Sequence, residues 1–232
     1  MSDSIFKNID SIYKRISRAA MRAGREPTDV TLIAVTKTVG LEEIKAAIDA
    51  GLRQFGENRV QEASRKIADC RLRIKDSEIS WHLIGHLQKN KAKAAVQIFD
   101  LIHSLDSLHL AEEINRHAER ISKVQDVLIE VKLSPEETKH GVARDDLTGL
   151  MKAVSSLKNL HLKGLMTIPP FFEDPQDARP FFKELRELRD RAETLGFHLP
   201  ELSMGMSQDF EIAIEEGATM VRIGTAIFGA RR

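Results

Sequence analysis

Thr31-Leu32-Ile33-Ala34-Val35-Thr36-Lys37 is a short, continuous run of apolar and β-branched residues that ends on a lysine. Such a run reads as a strand buried on both faces, the pattern of a parallel sheet. On its N-terminal side Ile5, Ile9, Ile12, Ile16, Ala20 and Ala23 recur at spacings of three and four. This predicts an amphipathic helix within residues 1–26 that packs on the body of the fold. Asp3 or Ser4 is placed to cap its start, and Gly24 with Pro27 beyond it to end it. On the C-terminal side, Ile44, Ala47 and Ile48 mark a second helix, closed by Gly51.

The same alternation continues to the end of the chain. Strand-like segments occur at Gln54–Asn58, Ser80–His86, Leu101–Asp106, Asp126–Leu133, Leu162–Ile168, Glu201–Met206 and Met220–Thr225. Helical patterns separate them, the longest through Ala178, Phe181, Phe182, Leu185, Leu188, Ala192 and Leu195. Strand–helix alternation implies a parallel sheet with right-handed crossovers. With the opening run there are eight strands, the number a closed (β/α)8 TIM barrel requires. The competing fold, an open doubly wound sheet, calls for a G-x-G-x-x-G turn after its first strand. Here Thr38-Val39-Gly40 follows Lys37 instead. No linker or low-complexity stretch divides the chain. The expectation is therefore an α/β protein, one barrel domain over residues 1–232 with an extra N-terminal helix.

Composition narrows the function classes. Lys plus Arg and Asp plus Glu balance at 35 each over 232 residues. That balance argues against broad electrostatic binding to nucleic acid or membrane, while leaving room for a local anion site. The apolar runs are too short to span a bilayer. No basic, apolar leader opens the sequence. The single cysteine, Cys70, excludes an intrachain disulfide and reads as a small half-buried helix residue. Together these features point to the cytoplasm.

In a barrel the C-terminal strand ends converge on one face. Those ends carry Lys37, Asn58, His86, Asp106, Met166-Thr167, Ser203–Ser207 and Arg222–Thr225. A lysine after an apolar strand is partly desolvated, which lowers its pKa and frees an amine for Schiff-base chemistry. On spacing alone, an ordinary lysine paired with a carboxylate such as Glu57 is the stronger reading. Ser203-Met204-Gly205-Met206-Ser207 ends a strand and offers Ser207 as a helix N-cap, while Arg222-Ile223-Gly224-Thr225 adds a glycine and a hydroxyl. The loops after strands seven and eight are the usual phosphate site of this fold, although Gly and Ser are also common turn residues. His82 and His86, four apart in a strand, stand roughly 13 Å from each other and are not a metal pair. No zinc or calcium spacing is present, so no metal is expected. Gly205-Met206-Ser207 does not complete a nucleophile elbow.

Taken in order, Leu32–Lys37, Phe55–Asn58, Trp81–Lys91, Lys163–Ile168, Leu202–Ser207 and Val221–Gly229 resemble the pyridoxal phosphate homeostasis protein family. The fold of that family is similar to the barrel of alanine racemase. The resemblance implies a pyridoxal 5′-phosphate (PLP) protein with Lys37 holding the cofactor as a Schiff base. Ser207, Gly224 and Thr225 would hold its phosphate, Arg222 would face the pyridine nitrogen, and Asn58, Met166 and Ser203 would line the pocket. It also implies a part in intracellular vitamin B6 homeostasis, with PLP and other B6 vitamers as ligands and no robust turnover of its own. The alternative is a PLP-dependent amino-acid racemase or related enzyme. A racemase needs a second base. The only tyrosine, Tyr13, sits on the N-terminal helix, and the sequence ends at Arg232, directly after the last barrel elements, which leaves His82, His86 or another residue as a substitute base. The expectation is thus a monomeric carrier rather than an enzyme, with no catalytic residues.

Overall fold

A computed structural model describes residues 2–74, 78–134, 136 and 140–229. Eight parallel strands close into a barrel in chain order. They are β1 (Thr31–Val35), β2 (Gln54–Glu57), β3 (Ser80–Leu83), β4 (Leu101–Leu105), β5 (Gln125–Glu130), β6 (Leu160–Met166), β7 (Glu201–Ser203) and β8 (Met220–Ile223). Closure is made by β8 against β1, where Ile33 stands opposite Arg222 and Ala34 opposite Ile223. The helices are α1 (Ser2–Arg22), α2 (Leu41–Asp49), α3 (Val60–Arg73), α4 (Ala92–Ile98), α5 (Leu108–Glu119), α6 (Leu147–Ser155), α7 (Arg179–Thr194), α8 (Phe210–Glu215) and α9 (Thr225–Phe228). Met1 and residues 230–232 of the expected domain lie outside the described residues.

The expected strand and helix order is the observed one, with differences at the ends. All eight strands stop short of their expected C-terminal residues. β1 ends at Val35 and β3 at Leu83, so Lys37, Asn58 and His86 all lie in loops beyond the ladder. The strand pattern runs on in the sequence, but at the mouth the backbone turns away and the hydrogen-bonded ladder ends. α1 begins at Ser2, which puts Asp3 and Ser4 inside its first turn rather than before it. Its end is as expected, with Gly24 in the left-handed region and Arg25 N–H bonded back to Ala20. α1 packs its Ile5, Ile9, Ile12 and Ile16 stripe against α2, α8 and α9. Cys70 on α3 is fully buried rather than half-buried.

Two buried regions result. Outward-facing strand residues such as Phe55, Trp81, Leu83 and Leu202 pack under the helices in one apolar shell. Ile33, Leu101, Leu128, Met166 and Met220 form a smaller cluster inside the barrel. Each large side chain so buried contributes about 1.5–3 kcal/mol. Among the described residues, no helix is long and apolar enough to cross a membrane.

Candidate functional site

A cavity of about 730 Å³ opens at the C-terminal mouth of the barrel. Lys37, Asn58, Ser207, Arg222, Gly224 and Thr225 all line it. These residues come from the ends of β1, β2, β7 and β8. Met166 and Ser203 do not line it. Both are fully buried beneath it, Met166 in the lumen cluster and Ser203 as the acceptor of a 2.5 Å bond from Arg222 Nη1. Each ends its strand inside the ladder, which holds the side chain below the rim.

One corner is built for an anion. Gly205 has φ +91, and a Cβ there would stand 2.6 Å from Ala213 Cβ and 2.9 Å from Phe210 Cα, so only glycine makes this turn. The chain then reaches α8 through Asp209, not Ser207. Asp209 precedes the helix, and its carboxylate accepts the Met206 N–H at 2.6 Å. Ser207 therefore stays in the turn, where its Oγ accepts a bond from Thr225 Oγ1 at 3.1 Å. Gly224 passes within 3.3 Å of Val35 O at its would-be Cβ, which brings the end of β8 against the end of β1. In α9 the first N–H to bond back is that of Ile227, to Gly224 O. The preceding N–H groups of Thr225 and Ala226 stand outside the helix ladder and are donors suited to a phosphate. Burial pushes the nearby Asp209 carboxyl up, against the pull of the Met206 N–H and of Arg222.

The opposite wall carries the amine. Lys37 is half-buried in the turn after β1. The next residue, Thr38, has φ +64, which costs about 1–2 kcal/mol for a side chain with a Cβ. Two contacts hold it there: its N–H donates to Glu62 Oε1 at 2.7 Å, and its hydroxyl to Lys37 O at 2.6 Å. Below the turn, Glu57 Oε1 accepts from Thr36 Oγ1 and from Lys66 Nζ, each at 2.6 Å. Lys66 also donates to Thr36 O at 2.6 Å. The carboxylate expected to compete for Lys37 is thus committed to Lys66, a residue that the sequence did not single out. Burial pushes the Glu57 carboxyl up, with the Lys66 and Thr36 hydrogen bonds opposing it.

Arg222 forms the floor. It is 4% exposed and donates to Ser203 Oγ and to Thr167 O. Burial lowers it to about 10, with Asp209 and Glu130 pulling the other way, so it stays a cation at neutral pH. In the wall, Asn58 Oδ1 is buried and has no hydrogen-bond partner among the described residues. A polar group of a ligand would satisfy it. Phe171 and Phe172, which the sequence reading missed, add an apolar rim together with Met206.

His86, Asp106 and His140 also meet at the mouth, with candidate ligand atoms within 4.8 Å of one another. The two rings stack at 3.7 Å with 10° between their planes. Parallel rings share no in-plane point, so in this arrangement their lone pairs do not converge on one ion.

The family model described as "Alanine racemase, N-terminal domain" matches residues 8–232. A protein of Aquifex aeolicus named pyridoxal phosphate homeostasis protein is 48% identical over 227 residues, 97% of this chain and 98% of that one. The protein of the same name from Escherichia coli K12 is 41% identical over 233 residues, 99% and 97% of the two chains. The chain belongs to the pyridoxal phosphate homeostasis protein family. Among solved structures similar to this family member, PipY of Synechococcus elongatus with PLP bound superposes with a TM-score of 0.84 at 37% identity. The match covers 97% of this chain and all of PipY. Alanine racemase of Corynebacterium glutamicum shares the fold, with a TM-score of 0.72 at 19% identity over 99% of this chain and 62% of the racemase.

Proposed function

We propose that the chain, as one domain over residues 1–232, holds PLP covalently on Lys37 and serves vitamin B6 homeostasis as a carrier. The observation that carries this reading is that an amine, a buried guanidinium and a hydroxyl pair line a single cavity. PLP needs those three groups, for its aldehyde, pyridine nitrogen and phosphate. The orphaned Asn58 oxygen adds a polar atom awaiting a partner. The name shared by the relatives and the PLP bound in PipY support the same conclusion.

Bound PLP supplies an aldehyde that condenses reversibly with an amine, and a ring that can withdraw electrons from attached carbon. The protein's residues favour the first chemistry over the second. Lys37 provides the amine. Ser207, Gly224 and Thr225 hold the phosphate by hydroxyl and backbone donors. Arg222 donates hydrogen bonds and accepts none, so it keeps the ring nitrogen unprotonated and weakens electron withdrawal. Met166 and Ser203 act from below, shaping the floor. The racemase reading finds no second base in the one tyrosine. Tyr13 is 43% exposed on α1 and does not line the cavity.

Borohydride reduction of the PLP-loaded protein followed by peptide mapping tests the attachment. An adduct on Lys37, lost in Lys37→Ala, is expected; an adduct elsewhere overturns the reading. Solvent deuterium entering the α-position of amino acids at enzyme-like rates would overturn the carrier role. The zero net charge supports a protein that binds neither nucleic acid nor membrane, and the lone buried Cys70 fits a reducing cytoplasm, where the chain acts as a monomer. Sedimentation checks the last point. Vitamers that keep the phosphate but lack the aldehyde should bind more weakly and reversibly.

A further inference from the structure

A line of polar side chains crosses the inside of the barrel. Arg222 Nη1 donates to Ser203 Oγ at 2.5 Å, and Ser203 Oγ stands 2.9 Å from His103 Nδ1. His103 Nε2 stands 2.9 Å from His82 Nδ1, and His82 Nε2 stands 2.7 Å from Gln54 Oε1. β4 and β7 are not neighbours in the barrel, so the His103–Ser203 contact spans the lumen. Ser203 and His103 are fully buried, and His82 is 3% exposed. Lumen positions of this fold are usually bulky and branched, so two histidines here need a reason.

The direction of the chain follows from donor and acceptor chemistry. A guanidinium only donates, so Arg222 gives a proton to Ser203 Oγ. At the far end the Gln54 oxygen only accepts, so His82 carries its proton on Nε2. His82 Nδ1 is then bare and accepts from His103 Nε2–H. His103 Nδ1 is bare in turn and accepts the Ser203 hydroxyl proton. Every donor points from Arg222 toward Gln54, and each group has its partner. In the reverse order, Arg222 and His103 would both donate to Ser203 Oγ. The serine proton would then have neither of these partners to accept it, which is costly at a buried site. Both rings must be neutral for either order. Burial provides this, lowering His82 to about 4 and His103 well below the ordinary histidine value.

We propose that Gln54, His82, His103 and Ser203 form a one-way hydrogen-bond relay that fixes both histidine tautomers and positions the Arg222 guanidinium at the floor of the cavity. Its bearing on the cofactor's ring nitrogen rests on the PLP reading above. His82 and His103 are positioning residues, acting on the ligand through Arg222. Aligned bonds polarise one another, so a break at His103 is felt at Arg222.

Two measurements test the relay. In the first, the unloaded protein labelled with 15N-histidine is examined at pH 7 by two-bond 1H–15N correlation. Both rings should be Nε2–H tautomers, and an Nδ1–H tautomer in either overturns the relay whether or not PLP binds. In the second, His103→Leu and His103→Gln are loaded with PLP. Gln keeps the direction, because its oxygen accepts from Ser203 and its amide donates to His82; Leu cannot. His103→Leu should shift the absorption band of bound PLP and lower PLP affinity about tenfold, the worth of one ordinary hydrogen bond. His103→Gln should restore both. A folded His103→Leu protein with the parent band and affinity overturns the proposal. If His103→Leu does not fold, the tautomers and His103→Gln decide, and a Gln variant that loses the parent band counts against the relay. Absence of any Lys37 adduct in the parent protein would sink the PLP reading and leave the tautomer result standing.

Discussion

The shell between sheet and helices and the lumen of the barrel are both buried, yet they are built on different rules. The shell is mainly apolar, with Phe55, Trp81, Leu83, Phe182 and Leu202 under the helices and the Glu57–Lys66 pair at its upper edge. The lumen holds an apolar cluster around Ile33 and Met166, and beside it the polar line from Gln54 to Arg222. Shell packing is non-directional and tolerates exchange among residues of similar volume. A buried polar line tolerates little, because each group depends on the next. Stability and ligand recognition are therefore expected to separate between the two regions.

The largest test of that separation is Phe182→Ala in the shell. Phe182 is fully buried, and its loss should cost about 3–5 kcal/mol by urea denaturation. The spectrum of bound PLP should stay unchanged, and a shifted spectrum would break the comparison. The polar counterpart under the Lys37 turn is Lys66→Met, which strands the buried Glu57 carboxylate. It should cost about as much, roughly 3–5 kcal/mol, and adding Glu57→Gln should recover most of the loss. A single variant as stable as the parent would show that this pair does not brace the turn.

Next comes pH, to which the lumen histidines and the buried carboxyls respond and the apolar side chains of the shell do not. His82 is held at about 4 when folded, below the ordinary histidine value of 6.5. Between these values the unfolded chain binds more protons, so stability rises with pH. Its loss as pH falls through this window should reach about 3 kcal/mol, with His103 adding in the same direction. Glu57 and Asp209, pushed up by burial, give the opposite slope. The clean measurement is thus the difference between the parent and His82→Gln in denaturation at pH 7 and pH 4.5. Equal slopes would remove His82 from the account.

A smaller effect sharpens the comparison at the rim. Gly205→Ala forces a side chain into φ +91 and should cost about 1–3 kcal/mol, with weaker phosphate retention during dialysis. The exposed Lys45–Asp49 pair on α2 sets the baseline, and Lys45→Ala should change neither stability nor binding measurably.

Much of this was legible in the chain. The alternation around Thr31–Lys37 marked each strand of the barrel, because short apolar runs and period-3.6 patterns are local. Lys37, Asn58, Ser207, Arg222, Gly224 and Thr225 were legible as strand-end residues, since the fold brings such ends to one face. Ser207 as a helix cap was not, because Asp209 competes for the same turn and takes the Met206 N–H. Nor was the partner of Glu57, which lies on α3 and reaches back under the turn.

By itself, the sequence determined the order of elements, the apolar faces and the candidate strand ends. Only the tertiary structure decided what fills the lumen and which way its hydrogen bonds run. His82 read as one half of a rejected metal pair, and His103 drew no attention. Their partners lie 21 and 100 residues away along the chain, across strands that periodicity treats as separate. A hydrogen bond needs two atoms within about 3 Å, and no local pattern encodes that distance until the barrel closes.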